Sequence, residues 1–206
     1  MEFNTATEQK ILNAAAEVFG EKGHAGARMQ EIADKAGINK ALLHYYFRSK
    51  DKLFHIVFKR EMRVMLENIF SAISPADSFR EFIQKFIHTY LTNISSRKNI
   101  MRFVIWELDY ASEELAETFY EVFQSFGFSG NPIILRIEEA ISKKEIRPID
   151  SKSFILNLLG MCIFPFVAAP LLVQILPGFN PENPHFIDER ERAILEVIMK
   201  DIEIRD

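Results

Sequence analysis

One glycine most constrains what this chain can fold into, because it separates two short segments with the apolar spacing of helices. Gly37 can adopt the left-handed backbone that ends a helix, a conformation that strains any residue with a Cβ. Asn39, two residues later, is a good N-cap for a following helix. Apolar residues at helical spacing precede the glycine: Ile32, Ala33 and Ala36. The pattern predicts two short helices joined by a tight turn within residues 29–50.

The second of these helices has two different faces. Leu43 and Phe47 lie four residues apart and can pack inward. The opposite face is basic and aromatic and carries Lys40, His44, Tyr45 and Arg48. A short, well-capped helix with such a face suits an element that enters a groove of DNA.

The segment from Gln30 to Phe54 resembles the helix-turn-helix of TetR-family transcriptional regulators. The matching groups are Ile32-Ala33, Ala36-Gly37-Ile38, Asn39-Lys40-Ala41, Leu43-His44-Tyr45-Tyr46-Phe47, Arg48-Ser49-Lys50 and Lys52-Leu53-Phe54. Two departures stand out. His44 and Tyr45 follow each other in the reverse of the family's order, and Met29 stands where the family usually has a capping threonine.

The resemblance implies that DNA is contacted by Lys40, Leu42, His44, Tyr45, Tyr46 and Lys50. Lys40 can donate to guanine O6 and N7, and Leu42 can touch a thymine methyl group. We add Arg28 and Gln30, near the start of the first short helix, where side chains and amides reach phosphate, and Asn39. The alternatives are a surface charge for Arg28, an ordinary exposed histidine for His44 and a share in the core for Tyr46.

The charge distribution also favours DNA binding by the N-terminal part of the chain, which we call the head. The formal net charge is −4, but residues 28–60 hold eight Lys or Arg against three acidic residues, a local charge of +5. The rest of the chain therefore carries −9. Such asymmetry indicates a basic head on an acidic body, although charges that only solvate helices would explain it equally well.

We predict an all-α fold of about nine helices, because no segment shows the sustained alternation of a strand. The first helix should begin at Thr5 and end at Gly23. The resemblance implies a three-helix, homeodomain-like DNA-binding domain at residues 1–49 and a helical effector-binding and dimerisation domain at residues 50–206. A helix over residues 50–71 connects them, and a Ser-Pro-Ala-Asp break follows at residues 74–77.

The resemblance also implies a small, largely apolar effector bound among the helices of the body. Candidate pocket residues are Phe86, Phe103, Trp106, Tyr110, Phe119, Phe123 and Phe164, and ordinary core packing is the alternative for each. Glu107, Asp109 or His88 could orient a polar or cationic group.

A single head makes few base contacts, so typical operator affinity calls for two heads. The family dimerises through its last two helices, here about Ser151 to Phe164 and Asp188 to Ile204, although their apolar residues could equally be intrachain core. A two-fold dimer would read an inverted repeat in double-stranded DNA, with recognition helices about 34–36 Å apart.

The segment Leu158–Leu176 is apolar enough to span a bilayer, but Pro165 and Pro170 interrupt it. We therefore expect a buried helix followed by a shorter one and no membrane partner. No signal peptide is visible at the start of the chain. The single cysteine, Cys162, excludes an internal disulfide and fits a reducing cytoplasm.

Catalytic chemistry finds little support in this sequence. The five histidines show no paired metal-binding spacing, no Gly-rich phosphate loop appears, and Cys162 is expected to be an inert buried thiol. We predict no cofactor, no metal site and no enzymatic activity. Two alternatives to a ligand-responsive regulator stay open: a DNA-binding regulator without a ligand switch, and an all-α apolar-ligand carrier or enzyme with a vestigial head.

Overall fold

The computed structural model describes residues 5–96 and 112–204, and every regular element in those two ranges is an α-helix. This confirms the predicted all-α fold. The apolar residues between Ile100 and Tyr110 also predict a helix, and this segment lies outside the described residues. The ten helices of the described ranges are α1 (Thr5–Gly26), α2 (Met29–Ala36), α3 (Lys40–Phe47), α4 (Lys50–Ser71), α5 (Phe79–Ser96), α6 (Ser112–Ser125), α7 (Pro132–Ser142), α8 (Ser151–Val167), α9 (Ala169–Ile175) and α10 (Phe186–Ile202).

The described residues form two compact units. The first comprises residues 5–64 with residues 112–118, and the second comprises residues 65–96 with residues 119–204. The division falls inside α4, after Val64, so this helix belongs to both units. The predicted domain boundary between residues 49 and 50 stays a prediction.

The first unit has a continuous apolar core in which α2 packs against both α1 and α3. The ring of Phe19 meets the ring of Phe54 edge-on, with centroids 5.0 Å apart. Gly23 interrupts α1 with a φ of 67°, where the sequence predicts its end, and one further turn continues to Gly26. The almost completely buried side chains of this core include Ile11, Phe19, Ile32, Leu43, Leu53 and Phe54.

The second unit is built around α5, which packs against α7, α8 and α10. Nine of its 18 residues are buried, more than a helix with one face on a core would bury. α5 is therefore the central helix of this unit. Its partners α8 and α10 also pack against each other, and Cys162 of α8 is completely buried, as predicted. Burial raises the pKa of the Cys162 thiol to about 12, which keeps it protonated and unreactive at neutral pH.

A proline inside α8 creates a contact with α10. Pro165 has no N–H, so it cannot donate to the carbonyl of Met161 one turn earlier. Arg190 of α10 supplies that hydrogen bond instead: its Nη2 and Nε donate to the Met161 carbonyl oxygen at 2.8 and 3.2 Å. One guanidinium thus satisfies the carbonyl that the proline leaves open and joins the two helices.

We predict that Arg190→Ala lowers the free energy of unfolding by about 1 kcal/mol, because a charged donor to a part-buried carbonyl is lost. Urea unfolding would measure the change, with Arg192→Ala, an exposed arginine on the same helix, as the matched control. In a Pro165→Ala background the N–H of residue 165 returns, so Arg190→Ala should then cost less. Equal costs in both backgrounds would contradict this account.

The apolar segment Leu158–Leu176 is divided between two helices, as predicted. α8 and α9 meet at Ala168 with a bend of 73°. Among the described residues, no single helix has both the length and the apolar character to cross a bilayer, and only this bent pair, taken together, meets the length and composition criteria.

Candidate nucleic-acid interface

The turn between α2 and α3 has the geometry that the sequence predicts. Gly37 adopts the left-handed conformation, with φ 69° and ψ 32°. The Gly37 N–H donates to the Asp34 carbonyl at 3.1 Å, and the Ile38 N–H donates to the Ala33 carbonyl at 3.0 Å. These two bonds form a Schellman motif, which satisfies carbonyls at the end of α2.

Asn39 caps α3, again as predicted. Its side-chain oxygen accepts a hydrogen bond from the Leu42 N–H at 2.8 Å, which satisfies one of the free donors of the first turn. Because phosphate oxygens accept hydrogen bonds, a contact from this residue to the DNA backbone would use its amide N–H groups, which the cap leaves free for it.

α3 is anchored on one face and exposed on the other. Leu43 and Phe47 are buried in the first unit, as predicted, whereas Lys40 and His44 are exposed. Tyr45 exposes 65% of its surface and meets the ring of Tyr46 edge-on at 5.8 Å. Leu42 and Tyr46 are half-buried at the edge of this face. The buried pair fixes the helix while the basic and aromatic face points to solvent.

The junction from α3 to α4 holds a strained residue that the sequence does not reveal. Arg48 has φ 55° and ψ −48°, and the Ser49 N–H donates to the Phe47 carbonyl across it. This is the rarer form of γ-turn, which is unfavourable for a residue with a Cβ. Basic, exposed Arg48 stands between the exposed helix α3 and the start of α4.

Two predicted contacts lie at the N-terminus of α2. Arg28 occupies the N-cap position with extended backbone, and no side chain accepts from the first N–H groups of the helix. The absence of a side-chain cap agrees with the presence of methionine at position 29, where the resembled family usually has a capping threonine. Gln30 is exposed, and its amide donates to the Asp34 carboxylate at 2.8 Å. The uncapped amides and the exposed guanidinium of Arg28 together form a surface suited to phosphate.

Lys50 is half-buried, and its ammonium group already has two partners in the protein. Its Nζ donates to the carbonyl of His24 at 2.8 Å and to that of Ala27 at 3.4 Å. An ammonium group has three donors, so a phosphate could take the third. Lys50 therefore holds the segment that leads into α2, in addition to any contact it makes with DNA.

His24 supports the same segment. Its Nε2 lies 2.7 Å from a carboxylate oxygen of Asp51, in the first turn of α4, and its ring meets Phe54 edge-on at 5.0 Å. Burial lowers the pKa of His24, and the hydrogen bond to Asp51 only partly opposes this. Because the folded state binds this proton less readily than the unfolded state, stability is lost as pH falls through the pKa of an ordinary histidine.

The basic residues near this face do not all point outward. Lys35 is held by Glu17 at 2.6 Å, and Lys22 pairs with Glu31, so these lysines join α1 to α2. The charges of these two lysines are thus neutralised by partners on the neighbouring helix rather than offered to DNA. The exposed cations of the surface formed by α3 and the start of α2 are Arg28, Lys40 and Arg48.

The predicted effector residues are distributed over several environments. Phe86 is buried, and its ring stacks on the ring of Tyr90 with centroids 5.7 Å apart. Phe123 is also buried, and its ring centroid lies 6.0 Å from that of the half-buried Phe119. Phe164, in contrast, exposes 59% of its surface on α8, so it does not line an enclosed cavity within this chain. The candidates Phe103, Trp106 and Tyr110, with Glu107 and Asp109, lie outside the described residues. The pocket stays a prediction.

Exposed apolar side chains gather on the helices predicted to form the dimer. Leu156 on α8 exposes 72% of its surface and Val197 on α10 exposes 58%. A groove of about 490 Å³ lies between these helices, lined by Asn157, Met161 and Val197 among others. α9 adds three more exposed apolar residues, Leu171, Val173 and Ile175, and its C-cap residue Leu176 is also exposed. Large contiguous apolar patches are typical of protein–protein interfaces, and the interface on these helices stays a prediction.

Comparison with known proteins identifies the same head. Residues 11–57 match the model of the family described as "Bacterial regulatory proteins, tetR family". The Bacillus subtilis (strain 168) protein named "Probable HTH-type transcriptional regulator YttP" is 28% identical over 186 residues, which cover 88% of this chain and 86% of that protein.

Solved structures share the fold of the chain as a whole. The Bacillus subtilis regulator FadR in complex with stearoyl-CoA aligns with a TM-score of 0.70 at 19% identity, over 95% of this chain and 100% of that one. The TetR-family regulator PfmR from Thermus thermophilus aligns with a TM-score of 0.66 at 19% identity, over 94% of this chain and 99% of that one.

Proposed function

The chain belongs to the TetR family of DNA-binding transcriptional regulators, and we propose that it works as a homodimeric repressor. Two copies would bind an inverted-repeat operator and leave it when a small, largely apolar effector binds the body. We also propose a cytoplasmic location, where DNA is accessible and Cys162 stays reduced.

The observation that carries this proposal is the two-sided character of α3. Leu43 and Phe47 fix the helix in the core, and the opposite side presents Lys40, His44 and Tyr45 to solvent. We assign base contacts to these three residues and to Leu42, which is less exposed. Phosphate contacts are assigned to Arg28, Gln30, Asn39, Tyr46 and Lys50.

Dimerisation would occur through α8 and α10. The exposed Leu156, Phe164 and Val197 support this, because they give both helices an apolar surface that the chain itself leaves uncovered. Two heads on one dimer would double the base contacts, which supplies the affinity that one short helix lacks.

The effector is proposed to act through α4, a long helix whose two ends belong to different units. Its last turn is held in the second unit by an aromatic cluster: the ring of Phe70 lies 5.6 Å from Phe123, 5.9 Å from Phe126 and 5.6 Å from Phe128. A molecule that displaced these rings would change how the second unit holds α4. The stearoyl-CoA bound to the FadR structure supports an apolar ligand of this kind.

Coupling of this kind is reciprocal: if the effector weakens operator binding by some factor, the operator must weaken effector binding by the same factor. A regulator without a ligand switch is the alternative. Equal affinity for a candidate effector with and without the operator would exclude the switch for that ligand.

Selection of bound duplexes from a random pool tests the proposed function most directly. We expect the selected sequences to converge on an inverted repeat whose half-sites lie about one helical turn apart, since a two-fold dimer presents two identical heads. A selected sequence without two-fold symmetry would contradict the dimeric mode of binding. A pool without enrichment at low salt would contradict DNA binding itself.

A further inference from the structure

Three side chains from two distant parts of the sequence meet between α5 and α10. His88 lies on α5, and Asp188 and Glu191 lie one turn apart on α10. One ligand atom from each of them falls within 4.8 Å of the other two. The closest pair is His88 Nδ1 and Glu191 Oε2, 2.7 Å apart.

We propose that His88, Asp188 and Glu191 bind a divalent transition-metal ion of the Zn²⁺ class. An imidazole nitrogen with two carboxylate oxygens is a ligand set that suits Zn²⁺ and its first-row neighbours. Two ligands about 2.1 Å from a tetrahedral ion are about 3.4 Å from each other. The shortest separation in this cluster is 2.7 Å, and no pair of ligand atoms is more than 4.8 Å apart, so small side-chain movements would suffice to surround an ion.

A fourth residue orients one of the ligands. Gln84 lies one turn before His88 on α5, and its amide donates to Glu191 Oε1 at 2.9 Å. This leaves Oε2 directed at His88. Residues that hold a ligand by its second atom are a regular part of metal sites, since they fix the orientation of the ligand. A metal at His88 Nδ1 would take the place of the hydrogen atom between that nitrogen and Glu191, and the neutral ring would carry its one proton on Nε2. Binding would therefore compete with protonation of the ligands and weaken at low pH.

The cluster lies away from the surface proposed for the dimer. Asp188 and Val197 are nine residues apart on α10, so they point in directions about 180° apart. Asp188 and His88 are both exposed. An ion could therefore reach the cluster in the dimer, where it would join α5 to α10 and stabilise the second unit against unfolding.

The test uses the full chain without an affinity tag, freed of metal with a chelator. Titration with Co²⁺, followed by its visible absorption, and calorimetry with Zn²⁺ should each give one ion per chain. His88→Ala and Glu191→Gln should weaken binding at least about tenfold, and Gln84→Ala should weaken it while leaving every ligand in place. His185→Ala and Glu189→Gln are matched controls, because both are exposed residues close to the cluster but outside it.

A melting curve of each variant without metal separates loss of binding from loss of folding. The proposal is overturned if the wild-type chain binds no ion at micromolar concentrations, which would leave the cluster as an ion pair only. It is equally overturned if His88→Ala binds as tightly as His185→Ala does. Both readouts are independent of DNA, so neither outcome depends on the proposed regulatory function.

Discussion

Phe164→Asp is expected to convert the dimer into monomers and to reduce operator affinity by about 100-fold or more. Phe164 is an apolar side chain with 59% of its surface exposed on α8, and the proposed interface would cover it. In a two-fold interface the substitution occurs twice, and each buried, unpaired carboxylate costs several kcal/mol. Sedimentation would measure the oligomeric state, and titration of a labelled operator duplex would measure the affinity.

Tyr120→Asp provides a closely matched control for this substitution. Tyr120 is also an aromatic residue with 59% of its surface exposed, but it lies on α6. The control variant should remain dimeric and bind the operator normally. If Phe164→Asp also stays dimeric, the interface lies elsewhere. If both variants dissociate, the effect is not specific to α8.

Local sequence signals predicted the geometry of the head well. The turn at Gly37, the cap at Asn39 and the inward face of Leu43 and Phe47 all depend on residues within one or two helical turns of each other. Backbone preference, capping and helical spacing act over that range. This is why the turn, the cap and the buried face could be derived from the amino-acid sequence alone.

Contacts between distant segments could not be derived in the same way. Lys50 donates to the carbonyl of His24, 26 residues earlier, and His88 meets Glu191, 103 residues later. No spacing rule connects such pairs, because the packing of helices brings them together. The spacing of the histidines along the sequence therefore gives no sign that His88 lies beside Glu191. Arg48 likewise carries no local signal for its positive φ.

One distant contact, between Arg190 and the Met161 carbonyl, could be anticipated in part from the sequence. A proline at position 165 within a helical segment frees the carbonyl of residue 161, and a buried free carbonyl requires a donor. The existence of a partner for Met161 could be predicted from Pro165 alone. Its identity as Arg190 could not, since that depends on how α8 and α10 pack.

Lys40→Ala and Lys50→Ala should affect DNA binding in different ways, although each removes one positive charge. Lys40 is exposed on the outer face of α3, and we expect it to donate to guanine. Its loss should cost about 1–3 kcal/mol on the selected operator and relax the preference at one base position. Affinities for the operator and for single-base variants of it would measure both effects.

Lys50→Ala, in contrast, should weaken binding to all sequences about equally and reduce the slope of log affinity against log salt by about one. Phosphate is common to every duplex, and the half-buried Lys50 also holds the segment that leads into α2 through the His24 carbonyl. Lys144→Ala removes the same charge from an exposed position after α7, outside the proposed dimer helices, and should leave binding unchanged. If Lys40→Ala and Lys50→Ala behaved alike in salt and sequence dependence, the division of this surface into base and phosphate contacts would be wrong.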